Sequence, residues 1–577
     1  MASTLWLVLC LCPLTLTMAG PTVTSSWGTV EGVVKTSPEG RKYNAYLGIP
    51  YALPPIGDLR FKKSQPKQGP SGIFRASAFG PACPQLGSEA QDEDCLTINV
   101  FTPTLTSTVK RSVMVWIHGG GFQAGSAVKY DPWKMVTEGD VVVVTLQYRL
   151  NVLGFLSTGN AILPGNYGLW DMKLALQWVQ DNIEDYGGNS SQVTLFGESA
   201  GSKAGSYLFL STKTKGLFQK VIMQSGSATG YFSFRNNPRE VAVALGKRVK
   251  CGSDTPGVDL PDKGLLDCFQ NMSVSTLVQN SIPNLGLAYY SADFTWSPVV
   301  DHDFVIDNPR FMIHDPAHLE RVGFYDLDLM VGVNNQEGGY MVKMASRYGQ
   351  IHNISALTTI RTQSYYKTKL IPLILGRLCG KFDKSSVDVI MNGYVAKDYP
   401  QTKLLTLYDV MNTQSDASIV APSVEMANAH GRLTNRGKTY FYLFDHFPSF
   451  LANYSGLRGM VHARDLMYSF GISAADVLSS YHSNVSQEEY HLSSTFVAIY
   501  TNFAKRSDPN PAVKGQLGRD WPQYDVTNQY FLSLSTKMAV RSHVYPKRVS
   551  TWLDALPKAD RHCMARSDTG SPDVIVG

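Results

Sequence analysis

"SQVTLFGESAGS", residues Ser191 to Ser202, decides how this chain reads. A short apolar run ends at Phe196 and breaks into glycines around a serine. Gly197 and Gly201 flank Ser199, and a carboxylate, Glu198, stands directly before it. A strand that feeds a helix through so tight a turn brings backbone close to backbone, which a Cβ would block. Ser199 is then exposed at the top of a sheet and at the first turn of a helix, where free N–H groups favour a developing negative charge. That is a nucleophile elbow. In a chain of 577 residues with 49 glycines the pattern alone is weak, so its surroundings have to support it.

Working outward, apolar runs alternate with amphipathic stretches. Residues 112–117 (SVMVWI), 140–148 (DVVVVTLQY), 193–196 (VTLF), 220–225 (KVIMQS), 327–334 (LDLMVGVN) and 438–444 (KTYFYLF) read as strands. They are short, rich in β-branched or aromatic residues, and bounded by Gly, Asn or Asp. Their near-continuous apolarity predicts a mostly parallel sheet covered on both faces. Trp170 to Tyr186 carries apolar residues at helical spacing. Strands alternating with helices predict a doubly wound α/β fold with helical insertions. One insertion is expected between Gly230 and Trp296. There is no internal repeat or low-complexity linker, so residues 21–556 read as one domain and the polar tail 557–577 as disordered.

Composition sets the class. With 44% hydrophobic and 17% charged residues this is an ordinary globular chain, and a net charge of +5 without a Lys/Arg-rich tract gives no case for nucleic acid. Residues 1–20 are apolar, lack charged side chains and read as a secretory signal peptide. No later segment is long and apolar enough to span a membrane. A secreted, extracellular protein is expected. Six cysteines remain after the signal: Cys83, Cys95, Cys251, Cys268, Cys379 and Cys563. An even number suits an oxidising compartment, but allows 15 pairings. Neither they nor the histidines show zinc spacing, and no metal or cofactor is implied. Sequons stand at Asn189, Asn271, Asn353, Asn453 and Asn484.

A serine nucleophile needs an oxyanion hole, a base and a carboxylate to orient the base. In residues 115–126, VWIHGGGFQAGS, glycines directly after a strand leave N–H groups open to an incoming oxygen, to be joined by the N–H of Ala200. After Ser199, Glu337 lies in the turn that ends a strand. Asp326 and Asp328 open that strand, at the wrong end of the sheet, and Asp301 and Asp303 are runners-up. Two histidines, His446 and His462, follow the strand at 438–444, and spacing alone does not choose between them.

HGGGF, GESAG, VNNQEGGY and GMVHARDL occur in that order, with EDCLTINVFTP (93–103), YRLNVLGFLSTGNAILPGNYGLWD (148–171) and MQSGS (223–227). Together they resemble the carboxylesterase/cholinesterase family of serine hydrolases, from about Thr29 to the YPKRVSTWL segment. The resemblance implies an α/β-hydrolase fold, with Ser199 as nucleophile, Glu337 as acid and His462 as base. It implies oxyanion donors at Gly120, Gly121 and Ala200, and polar neighbours of the triad at Glu198 and Ser225. It implies disulfides Cys83–Cys95 and Cys251–Cys268, and makes His446 non-catalytic. Cys379 and Cys563 stay open: they pair with each other, or Cys563 links two chains.

The function this implies is hydrolysis of a small-molecule or lipid ester through an acyl-enzyme. Two stretches, LSTGNAILPGNYGL and YFLSLSTKMAVRSH, look closest to bile-salt-activated lipases, although those carry Asp where Glu337 stands. The choline esterases of the family rely on a tryptophan in the first disulfide loop, since a cation seeks an aromatic face. Here that loop is short, acidic and without an aromatic residue. The family also includes adhesion proteins that keep the fold and lose the chemistry, and a scavenger that acts mainly by binding is a further alternative. Acyl preference and oligomeric state are not legible. Two residues depart from the family pattern: Gln147 replaces an Asn, and Lys203 stands where a small residue is usual and is expected to point to solvent.

Overall fold

The computed structural model describes residues 20–87, 90–105, 108–251, 260–282, 295–339, 361–396, 400, 403–451, 459–473, 477–479, 483–511 and 520–563. Its centre is a sheet of 11 strands. In chain order these are β1 (Val33–Thr36), β2 (Lys42–Pro50), β3 (Thr97–Thr102), β4 (Arg111–Ile117), β5 (Val142–Leu146), β6 (Gly188–Glu198), β7 (Lys220–Gln224), β8 (Asp328–Asn334), β9 (Thr439–Phe444), β10 (Tyr530–Leu534) and β11 (Ala539–Ser542). Across the sheet they run β1-β2-β3-β5-β4-β6-β7-β8-β9-β10-β11. From β5 to β10 every neighbour is parallel, while β1, β2, β3 and β11 pair antiparallel. The fold is thus α/β and doubly wound, as expected, with antiparallel margins that apolar runs alone did not reveal.

The central strands are buried at nearly every position because both faces are covered. On β4, Val113, Val115 and Ile117 enter one core while Met114 and Trp116 enter another, as the two-residue period of a strand requires. Helices α1 (Tyr167–Asn182) and α2 (Ala200–Phe209) pack on the first face. Helix α3 (Gln487–Arg506) covers the second, through Leu492, Phe496, Tyr500 and Phe503. The expected insertion holds helices Pro238–Arg248, Asp262–Asn271 and Val274–Ser281.

Two disulfides join Cys83 to Cys95 and Cys251 to Cys268, and the third joins Cys379 to Cys563 within the chain. That third bridge corrects the expectation of a disordered tail from 557. Residues Leu556–Ala559 continue a helix, and Leu556 and Cys563 are buried in a third core with Ile371, Ile374 and Ile390. Asp560 caps the helix Lys384–Tyr394, accepting from the Asp383 N–H and the Ser386 hydroxyl at 2.6 Å each. Residues 564–577 lie outside the described residues, as do residues 1–19. Of the sequons, Asn271 and Asn484 are exposed and Asn189 is half-buried, whereas Asn353 and Asn453 also lie outside. No helix among the described residues is long and apolar enough to cross a membrane.

Register brings the functional segments together. Ile117 pairs with Gly197, and Glu198 with Gln224, which pairs in turn with Gly332. The carboxyl ends of β4, β6, β7 and β8 are therefore level, and the loops that follow them meet at one place, where open α/β sheets bind ligands.

Candidate active site

Ser199 takes φ 57° and ψ −120° between β6 and α2. A serine in that region costs about 1–3 kcal/mol, which surrounding structure must hold in place. Its N–H donates to Gln224 O and its carbonyl accepts from Lys203 N, both at 2.9 Å. The glycines are there for closeness. A Cβ on Gly201 would sit 2.0 Å from Ile117 O, and one on Gly197 would sit 2.5 Å from the Gly201 carbonyl carbon.

The loop after β4 lies directly against the elbow. A Cβ on Gly119 would come within 2.7 Å of Glu198 Oε2 and 3.1 Å of Ser199 Cβ. Gly120 has φ 116°, and its Cβ would strike Ala124 O at 1.9 Å. The Tyr148 hydroxyl donates to His118 O, and the Gln85 side chain bonds both Gly125 N and Gly125 O, each at 2.8 Å. Among the described residues the amides of Gly120, Gly121 and Ala200 find no acceptor in the chain, which leaves them available to an oxygen developing negative charge.

Glu337 opens a one-turn helix after β8, fully buried. Its Oε1 accepts from Asn334 N at 2.7 Å and from the Ser225 hydroxyl at 2.5 Å. Its Oε2 faces His462 Nδ1 at 2.7 Å, and His462 Nε2 lies 2.7 Å from Ser199 Oγ. The histidine loop is pinned to the Glu337 turn: Gln336 N donates to Met460 O, and Met460 N to Asn335 Oδ1. Ser199, His462 and Glu337 thus form one line of hydrogen bonds. His446 lies elsewhere, on Glu489 at 2.9 Å. Asp301 accepts backbone N–H groups of its own loop, and Asp303 pairs with Lys63 and Lys213. Gln147 bonds Ser126 Oγ and Ala127 N, bracing the loop after the glycines.

The site is rich in buried carboxylates. Glu198 Oε1 stands 3.2 Å from His462 Nε2 and accepts no hydrogen bond among the described residues. Burial, partly relieved by the charge of His462, pushes the Glu198 carboxyl up to about 8. Burial would pull the His462 imidazole down, but the charge of Glu198 and then the bond to Glu337 push it up to about 9. The two therefore compete for a proton that both hold more tightly than they would in water. Asp465 accepts from Gln224 Nε2 at 2.6 Å and from Asn334 Nδ2 at 3.0 Å, and burial with the charge of Glu337 raises it to about 6. Sequence reasoning passed over Asp465, although it lies in the GMVHARDL segment. Nothing at sequence level shows that a third carboxylate turns inward.

Lys203 corrects an expectation. It is 2% exposed, not solvated, and its Nζ lies 3.4 Å from the centre of the Phe232 ring. The reason is that α2 is buried on all sides, so the fourth residue after Ser199 has no route to water. Burying an ammonium costs several kcal/mol, and a ring face returns only about 2 kcal/mol. Burial therefore pulls the Lys203 ammonium well below the usual lysine range, and the charges of Glu198 and Glu337 offset this only in part.

The pattern that defines the carboxylesterase family matches residues 19–552 of this chain. Acetylcholinesterase-1 of Trittame loki is 31% identical over 90% of this chain and 91% of its own length. The medium-chain fatty acyl-CoA hydrolase precursor of Anas platyrhynchos is 30% identical over 92% of each. Neuroligin-3 of Mus musculus is 30% identical over 93% of this chain and 69% of its own length.

Proposed function

Because the chain belongs to the carboxylesterase family of hydrolases, we propose that it is a secreted serine hydrolase that cleaves carboxylic esters through an acyl-enzyme on Ser199. The observation behind this reading is the unbroken line Ser199–His462–Glu337, with 2.7 Å at both junctions. In the first step Ser199 Oγ attacks the ester carbonyl carbon while His462 Nε2 takes its proton. The carbonyl oxygen becomes an oxyanion facing the amides of Gly120, Gly121 and Ala200; losing one such donor costs roughly 10²–10³ in rate. The C–O bond then breaks, the alkoxide leaves with the proton from His462, and the acyl group stays on Ser199. Water, deprotonated by His462, reverses these roles and frees the acid. Glu337 keeps Nδ1 protonated, so that Nε2 is the basic nitrogen, and stabilises the imidazolium.

Export rests on the apolar leader and on the three disulfides, which suit an oxidising compartment. The loop between Cys83 and Cys95 has no aromatic ring for a quaternary ammonium, so poor cleavage of choline esters belongs to the same reading. The test is hydrolysis of p-nitrophenyl esters from acetate to palmitate, with and without bile salt, and of acetylthiocholine, by wild type and Ser199→Ala. Wild-type turnover abolished in the variant supports the proposal, and the chain-length profile separates soluble esters from lipids. The likeness to neuroligin-3 favours a second reading, action by binding alone. A folded wild type inert on every ester would favour it.

A further inference from the structure

The imidazole of His462 is placed by its loop, and a side chain outside the triad joins that loop to the sheet. Asn335 stands two residues before Glu337, and the residue it holds, Met460, stands two before His462. Asn335 Oδ1 accepts from Met460 N at 2.7 Å, and Asn335 Nδ2 donates to Asp445 Oδ1 at 2.7 Å. The two partners fix the amide: an N–H needs its oxygen, and a carboxylate needs its nitrogen. Asp445 is held in turn, its N–H donating to Leu534 O at 2.9 Å and its Oδ2 accepting from the Ser533 hydroxyl at 3.3 Å. The backbone of Asn335 is bonded separately. Its N–H donates to Phe444 O at 3.1 Å, and its carbonyl accepts from the Tyr545 hydroxyl at 3.3 Å. Replacing the side chain therefore leaves these main-chain bonds in place.

The hold on Met460 is hard to replace. Met460 is fully buried, packed with Phe444 and Tyr468 in the core on the second face, so its N–H would lose a partner where water has little access. Without Asn335, the bond from Gln336 N to Met460 O at 3.1 Å would have to hold that end of the loop. Gly459, at φ 116°, lets the loop come this close: a Cβ there would sit 3.0 Å from Asn335 Oδ1 and 2.9 Å from Gln336 Cβ. On the far side of His462 the loop is held by Asp465, through Gln224 Nε2 and Asn334 Nδ2. His462 lies between these two anchors, with 2.7 Å to Ser199 on one side and 2.7 Å to Glu337 on the other. A shift of about 1 Å in such a group can cost on the order of 100-fold in rate.

We propose that Asn335 is a positioning residue of this site: its side-chain amide, braced on Asp445, holds Met460 N and so sets His462 in line between Ser199 and Glu337. The inference deepens the ester-hydrolase reading and rests on it for its kinetic readout. It also makes a demand on chemistry, not on shape alone. Position 335 must accept from Met460 and bond position 445 at once, whichever member of the pair carries the charge.

The experiment compares wild type, Asn335→Ala, Asn335→Asp and the exchange Asn335→Asp/Asp445→Asn on p-nitrophenyl butyrate. In Asn335→Ala, kcat should fall roughly ten- to hundredfold with KM within about twofold, because the aligned base is needed only in the transition state. Asn335→Asp alone sets two carboxylates face to face and should fall about as far. The exchange rebuilds both bonds with the roles reversed: the amide at 445 donates to the carboxylate at 335 and still accepts from Ser533. It should return kcat to within about threefold of wild type, and it keeps the test open if Asn335→Ala does not fold. A second readout needs no turnover. The far-downfield NMR resonance of the His462 Nδ1 proton, assigned by its loss in His462→Gln, reports the bond to Glu337. It should shift or broaden in Asn335→Ala and Asn335→Asp and return in the exchange. If wild type is inert on every ester, the hydrolase reading fails and this resonance alone decides the role of Asn335. An unchanged kcat or an unmoved resonance in folded Asn335→Ala, or an exchange no better than Asn335→Asp, would overturn the proposal.

Discussion

His446 and His462 both follow β9 and both bond a buried glutamate: His446 Nε2 lies 2.9 Å from Glu489, and His462 Nδ1 lies 2.7 Å from Glu337. Burial does not separate them, since their side chains are 11% and 14% exposed. What separates them is the ring nitrogen used. His446 spends its outer nitrogen on a carboxylate that also accepts from Tyr468 and from Ser449 N, a closed knot between the histidine loop and α3. His462 spends its inner nitrogen on Glu337, and its outer one reaches a serine held on a strained turn. A histidine–glutamate pair is therefore not a base by itself. The third partner and the direction of the ring make it one.

The largest test of this contrast is Ser199→Ala, which should lower kcat/KM on p-nitrophenyl butyrate by roughly 10⁴-fold or more with the circular dichroism spectrum unchanged. Glu337→Gln should follow at about 10³–10⁴-fold, because an amide there favours the wrong tautomer of His462. Glu198→Gln removes a negative charge beside His462, so the imidazole loses its proton more readily. The acid limb of kcat/KM should then move down by about one pH unit, and a limb that moves up would contradict the action of the Glu198 charge on His462. Ser225→Ala takes one of two donors from Glu337 Oε1 and leaves Asn334 N, a loss of about 1–1.5 kcal/mol, read as a fall in kcat of about five- to thirteenfold. The smallest effect on activity belongs to His446→Gln: kcat/KM within about threefold of wild type, with a stability loss of about 1–3 kcal/mol in denaturant unfolding from the broken knot. Loss of activity in a folded His446→Gln protein would break the comparison outright.

Much of the site was legible from local signals. The elbow and the glycine loop announce themselves because close backbone approach permits only glycine at Gly120, Gly197 and Gly201. Glu337 stood out by ending a strand at the right end of the sheet. Asp465 and Lys203 did not, because an inward or outward turn of a charged side chain depends on what packs over it. The antiparallel margins went unread for a related reason: β2 is only partly buried and its pattern is broken by a bulge between Tyr46 and Ile49.

The sequence by itself determined the central strands, their mostly parallel arrangement and the serine's turn, since continuous apolar runs and obligatory glycines are local physical constraints. Spacing left open which histidine reaches Ser199 across 263 residues, and only the family resemblance pointed to His462; only the tertiary structure decided that Cys379 meets Cys563 across 184 and that Lys203 is sealed against Phe232. Those outcomes depend on distant segments folding over one another, and no local pattern carries the position of a segment it does not yet touch.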